Sequence, residues 1–199
     1  MACCAGPAPG RRSDMPLFKL RKLGTPRDLE VSMAGLKLGS RVLQLGGGDG
    51  ELIAALAGAV GLSGHACAVV QEPGQVAAFE RAAARAGVLV EVKVARFASL
   101  PYEPQAFDVV VIKDVLGWMR QNDRVFCLQE AGRVLRSGGR CLVIERSLRG
   151  GLGALFSRQQ LDRQYAAGGA RAALAAEGFA ATRVLADRDG YRFTEGVRA

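Results

Sequence analysis

The sequence predicts an α/β fold: a doubly wound, mostly parallel sheet of seven strands, the last of which returns as an antiparallel hairpin. Three observations carry this. Strand and helix signals alternate from Arg41 to Glu145. The run 107–112 is apolar almost throughout, as a parallel strand covered on both faces must be. Near the carboxyl end, Asp187-Arg188-Asp189-Gly190 separates two strand-like runs, and Asp-Gly is a strong short-range hairpin signal.

The elements follow in chain order. Residues 1–14, rich in Ala, Gly, Pro and Arg, have no hydrophobic period and read as a disordered leader, which makes Met15 a candidate for the true start. Residues 15–40 form a basic, helical segment. Within it Thr25 is placed to cap a helix, Pro26 to be its first residue, and Asp28 and Glu30 to complement the positive end of its dipole. This helix runs to about Gly35, and 41–199 is the folded domain. Strands are expected at 41–45, 65–70, 88–95, 107–112 and 141–145. Helices are expected at 51–59, 75–86 and 122–135, the last ended by Gly138-Gly139. In the tail, 170–177 is helical, Gly178 ends it, and strands at 179–186 and 191–197 form the hairpin.

Composition bounds the function. At 49% hydrophobic residues the chain can build a sizeable core. No apolar run approaches the roughly 20 residues of a membrane-spanning helix, and Met1 to Pro9 lack the pattern of a secretory signal. A cytoplasmic protein is expected. The five cysteines show no repeated ligand spacing and read as plain thiols in a reducing compartment. Half of the net charge of +8 lies in residues 1–40. Because Arg outnumbers Lys along the whole chain, this reads as compositional bias more than as a binding arm.

The chemistry concentrates at Gly46-Gly47-Gly48-Asp49-Gly50, directly after a strand and directly before a helix. Glycines there allow positive φ and close backbone approach to a ligand, and the helix start presents unpaired N–H groups. Gly46, Gly48 and Gly50 are the binding candidates. A dehydrogenase-type nucleotide site competes for this turn. It is disfavoured because Glu51 stands where a third glycine belongs, because of the late hairpin, and because no length remains for a substrate domain.

Together with Ser99-Leu100-Pro101-Tyr102, Ala106-Phe107-Asp108-Val109-Val110 and Arg133-Val134-Leu135-Arg136-Ser137-Gly138-Gly139-Arg140, this turn resembles the class I S-adenosylmethionine-dependent methyltransferases. The likeness is to the small branch typified by ubiquinone/menaquinone biosynthesis, and it covers residues 40–197. Ser137 replaces the proline of the family's last motif. The resemblance implies a Rossmann-like fold, S-adenosyl-L-methionine as cofactor and a small-molecule methyl acceptor. It also implies cofactor contacts from Gln71, Glu72, Arg96, Phe97 and Lys113.

Three positions depart from the family, which places acids where this chain has Gln44, Gln71 and Arg96. A carboxylate accepts two ribose hydroxyl bonds and attracts a cationic ligand, whereas Gln is neutral. Each lost charge-assisted bond weakens binding by roughly 1–3 kcal/mol, so two or three cost roughly two to six orders of magnitude unless compensated. Glu72, Asp49 and Asp114 are the compensating acids available. At the end of the fourth strand, Asp114 either orients or deprotonates a substrate or caps the helix begun by Val115-Leu116-Gly117. Trp118 and Tyr102 are candidates for the acceptor pocket or for core. His65, the only histidine, is expected to be structural, and no metal-ligand cluster is expected.

Two functions follow from this reading. One is methyl transfer to a small molecule, with the acceptor pocket built from residues before Arg41 and from 146–169, including a lid at 148–153. The alternative is a degenerate, non-catalytic domain that binds a ligand or partner. A nucleic-acid substrate is disfavoured, since no aromatic residues interleave the basic stretch. The sequence does not fix the oligomeric state.

Overall fold

The computed structural model of the chain describes residues 26–147 and 163–199. The leader, most of the basic segment, the Thr25 cap and the lid at 148–153 lie outside them. The elements are α1 (Pro26–Ala34), β1 (Arg41–Gly46), α2 (Glu51–Val60), β2 (His65–Val70), α3 (Val76–Ala86), β3 (Glu91–Val94), β4 (Phe107–Lys113), α4 (Gln121–Val134), β5 (Leu135–Arg146), α5 (Arg163–Ala176), β6 (Phe179–Arg188) and β7 (Tyr191–Arg198). They build one seven-stranded sheet of order β3-β2-β1-β4-β5-β7-β6. β1 to β5 pair in parallel, and β7 runs antiparallel between β5 and β6.

Side-chain alternation sorts the core into two layers. Leu43, Leu45, Val110, Ile112 and Val143 face α4 and α5, where Leu128, Ala131 and Leu174 cover them. Val42, Ala68, Val109, Val111 and Ile144 face α1, α2 and α3, covered by Ala34, Leu52, Leu56 and Phe79. After β1 the chain winds toward β2 and β3, then returns to β4 on the other side of β1. That reversal opens a crevice beyond the carboxyl ends of β1 and β4.

Several boundaries differ from expectation for local reasons. β3 spans only Glu91–Val94, because as an edge strand it pairs with β2 alone. Gly138-Gly139 do not end α4. The helix stops at Val134, Leu135 is already extended, and the glycines sit in an irregularity of β5 between the pairs Phe107–Leu135 and Val109–Arg140. α5 begins earlier than read, with a kink at Gly169 just before the expected helix. The hairpin turn is Asp189-Gly190, with φ of 55° and 78°, the pair of positive values that a type I′ turn demands.

The amino-terminal helix is fastened by Arg140 of β5. Its guanidinium donates to the carbonyl oxygens of Ala34 (3.2 Å) and Met33 (3.3 Å) at the end of α1, and it pairs with the buried Glu195 of β7. Burial disfavours the charged form of Glu195, but hydrogen bonds from Arg140 and Arg183 outweigh it and hold the carboxyl below its ordinary value. No helix among the described residues is long and apolar enough to cross a membrane.

Candidate active site

A cavity of about 470 Å³ occupies the crevice, within the range of small-molecule sites. The carboxyl ends of five strands and β7 build its wall. β1 supplies Gly46-Gly47-Gly48-Asp49, β2 leads to Gln71, Glu72 and Gln75, and β3 leads to Phe97. β4 ends in Lys113, Asp114 and Val115, β5 in Arg146, and β7 begins with Tyr191.

The glycine turn divides its labour differently from the sequence reading. Gly46 and Gly47 have φ near 77° and face the cavity together with Gly48. Gly47, not singled out from sequence, belongs to the wall. Gly50 does not. It is buried at the start of α2, where a Cβ would lie 2.5 Å from the Phe79 Cα, so its glycine serves helix packing. Beneath the turn, fully buried Gln44 donates from Nε2 to the Gly46 carbonyl at 2.7 Å, and its Oε1 has no partner. An amide suits this carbonyl and a carboxylate does not. Restoring an acid with Gln44→Glu is therefore expected to destabilise the fold by about 2–4 kcal/mol through an unpaired buried charge. Chemical denaturation checks this, and a variant as stable as the parent would contradict the geometry.

Charges alternate along a row that starts and ends on the wall and passes through α1 behind it. Lys113, nearly buried, donates from Nζ to Glu30 Oε1 at 2.6 Å, and the same nitrogen stands 5.5 Å from the Tyr191 ring centre. Arg27 approaches the second Glu30 oxygen at 3.8 Å and Asp49 at 3.6 Å. A row Asp49–Arg27–Glu30–Lys113 thus joins the glycine turn to the end of β4 through α1. Sequence reading gave Glu30 only a role in the helix dipole. No local signal marks a partner 83 positions away.

Asp114 adopts φ of 54°, unusual for a non-glycine residue. It does not cap the following 3-10 turn, Leu116–Trp118, which has no side-chain cap. Its Oδ1 instead accepts from the Arg146 amide at 3.1 Å. Burial raises the Asp114 carboxyl above its ordinary value, with Lys113 opposing. Neighbouring Glu145 is also raised, by burial first, and accepts a hydrogen bond from Tyr165 of α5.

Residues 42–139 match the model of a family described as a methyltransferase domain. Among curated relatives, the ubiquinone/menaquinone biosynthesis C-methyltransferase UbiE of Cronobacter sakazakii is 28% identical over 68% of this chain and 53% of its own length. The chain carries a methyltransferase domain. It spans about half the length of the curated relatives it matches. A SAM-dependent methyltransferase from Aquifex aeolicus superposes with a TM-score of 0.70 at 19% identity, over 89% of this chain and 96% of the other. An O-methyltransferase family protein from Burkholderia thailandensis gives 0.68 at 18%, over 86% and 55%. These two likenesses show the fold.

Against the methyltransferase pattern, the wall gathers Gly46, Gly48, Asp49, Gln71, Glu72, Phe97, Lys113 and Asp114, with all three compensating acids among them. Arg96 is not on the wall. Its side chain is 80% exposed and lies 3.9 Å from Asp123, because neighbouring Phe97 takes the inward position. Trp118 is not on the wall either and stays half-exposed. Tyr102 packs edge-on against Phe107 at 4.9 Å, in the core layer beneath α4. His65 lies at the opposite rim of the sheet. There, contrary to the sequence reading, strand register assembles a group of metal-ligating side chains, His65, Cys67 and Glu91.

Proposed function

We propose that this methyltransferase transfers a methyl group from S-adenosylmethionine to a small-molecule acceptor held at the Lys113–Asp114 side of the cavity. The single observation that carries this is the convergence of the Gly46-Gly47-Gly48 turn with Asp49, Glu72 and Asp114 on one wall. These residues fit the cofactor. The positive-φ turn lets a ligand approach backbone closely, Gln71 and Glu72 offer acceptors to ribose hydroxyls, and Phe97 offers an apolar face to a base. When bound, the cofactor supplies an electrophilic methyl group on a cationic sulfur.

The residues of the chain do the rest by position. The acceptor's electron pair forms the new bond to the methyl carbon, and the pair of the broken bond stays on sulfur. Asp114, its carboxyl raised and oriented by the Arg146 amide, takes the acceptor's proton. Glu30 neutralises Lys113 so that a cationic ligand is not repelled. The names of the curated relatives make C-methylation of a quinone-pathway compound the first acceptor class to assay. The free thiols Cys67, Cys127 and Cys141 suit a cytoplasmic setting.

A second reading, a non-catalytic binding module, is favoured by Gln44 and Gln71 at family acid positions and by two cations, Lys113 and Arg146, on the wall. Calorimetric titration separates the two. Heat at micromolar S-adenosylmethionine, with label transfer to an acceptor, is expected. Neither heat nor thermal shift at millimolar cofactor would establish the binding module instead.

A further inference from the structure

We infer that the rim of the sheet opposite the cofactor cavity is a zinc site, formed by His65 Nε2, Cys67 Sγ and a Glu91 carboxylate oxygen. The three ligand atoms lie within 4.8 Å of one another. Strand geometry puts them there. His65 and Cys67 are two residues apart on β2 and so share a face, and Glu91 opens β3 directly opposite Cys67 in the parallel register. One oxygen is the meeting point: Glu91 Oε2 is 3.1 Å from His65 Nε2 and 3.6 Å from Cys67 Sγ. Tetrahedral zinc with ordinary bonds to nitrogen, oxygen and thiolate sulfur separates neighbouring ligand atoms by about 3.3–3.6 Å. The two spacings to Glu91 are already close to these values, and the third, between His65 and Cys67, is within 4.8 Å.

The surroundings fit as well. Lys93 Nζ takes the other carboxylate oxygen, Oε1, at 2.9 Å and sits 4.3 Å from the Tyr102 ring centre, so it orients Glu91 and leaves Oε2 for the ion. The Tyr102 hydroxyl is buried beside the Cys67 sulfur and interacts with it. A metal-bound thiolate would be a stronger acceptor for it than the thiol, the outer-shell support that ligands of this kind use. His65 and Glu91 are partly exposed while Cys67 is buried. An ion therefore enters from solvent and keeps a fourth position for water. Mixed N, S and O ligands of this type select zinc and its neighbours over magnesium or calcium. The site clamps edge strand β3 to β2 and takes no part in the cofactor cavity.

The test uses the tag-free full chain carrying Cys3→Ser and Cys4→Ser, so that those thiols do not bind metal. Zinc or cobalt(II) is titrated alone. One equivalent of cobalt is expected to give a thiolate-to-cobalt charge-transfer band, and zinc at a hundred times its Kd to raise Tm by about 5–10 °C. His65→Ala and Glu91→Gln, both at solvent-accessible positions, should each weaken zinc binding by about 100-fold or more while leaving S-adenosylmethionine binding unchanged. Absence of the band, or a band and Tm shift that survive both substitutions, would overturn the site.

Discussion

Replacing Glu30 with glutamine is expected to weaken binding of S-adenosylmethionine by about 10- to 100-fold, the effect of one lost charge-assisted contact, while its demethylated product loses far less. The two ligands differ by the positive charge on sulfur. In the parent, the Lys113 ammonium on the cavity wall is matched by Glu30 at 2.6 Å. In E30Q it stands uncompensated and repels the cationic ligand selectively. The same substitution breaks a buried pair, whose partners keep only 10% and 3% of their side-chain surface. Stability should therefore fall by roughly 3–5 kcal/mol. Calorimetry with both ligands, below the lowered Tm, makes the decisive comparison. Equal losses for the two would mean that Glu30 acts only through folding.

Asp114→Asn is expected to lower the methyl-transfer rate by about 100- to 10,000-fold, the span of a positioned general base, with cofactor affinity changed only a few-fold. Asparagine keeps an oxygen for the Arg146 amide, so geometry survives and the charge alone is removed. The parent rate should climb as pH rises through the Asp114 pKa, which burial places above the ordinary 3.8, and D114N should lose that limb. Stability moves the other way. A carboxyl whose folded pKa is raised contributes stability below its unfolded pKa and loses it as pH rises through the folded value. At neutral pH D114N should be at least as stable as the parent. A slow variant with an unchanged pH profile would remove Asp114 from proton transfer.

Features governed by neighbours in the chain were legible in the sequence. The sheet, its winding, the Asp189-Gly190 turn and the glycine turn follow from period, turn chemistry and short spacing. Within that turn, sequence could not tell a glycine needed by ligand from one needed by packing, since Gly50 yields to Phe79 of another helix. Features set by register or by long-range pairing were hidden. Glu30 meets Lys113 only because α1 lies against the sheet, and His65, Cys67 and Glu91 meet only once β2 and β3 are aligned. Arg96 was misplaced because a one-residue change in phase exchanges the inward and outward directions at a strand's end.

The guanidinium of Arg140 reaches both extremities of the described chain, holding the last carbonyls of α1 and the carboxylate of β7. Glu30 is therefore anchored, through its helix, by residues contributed some 160 positions later. Damage to the final strand would loosen the helix, let the lysine partner drift, and reach the nucleotide cleft although no residue there had been altered.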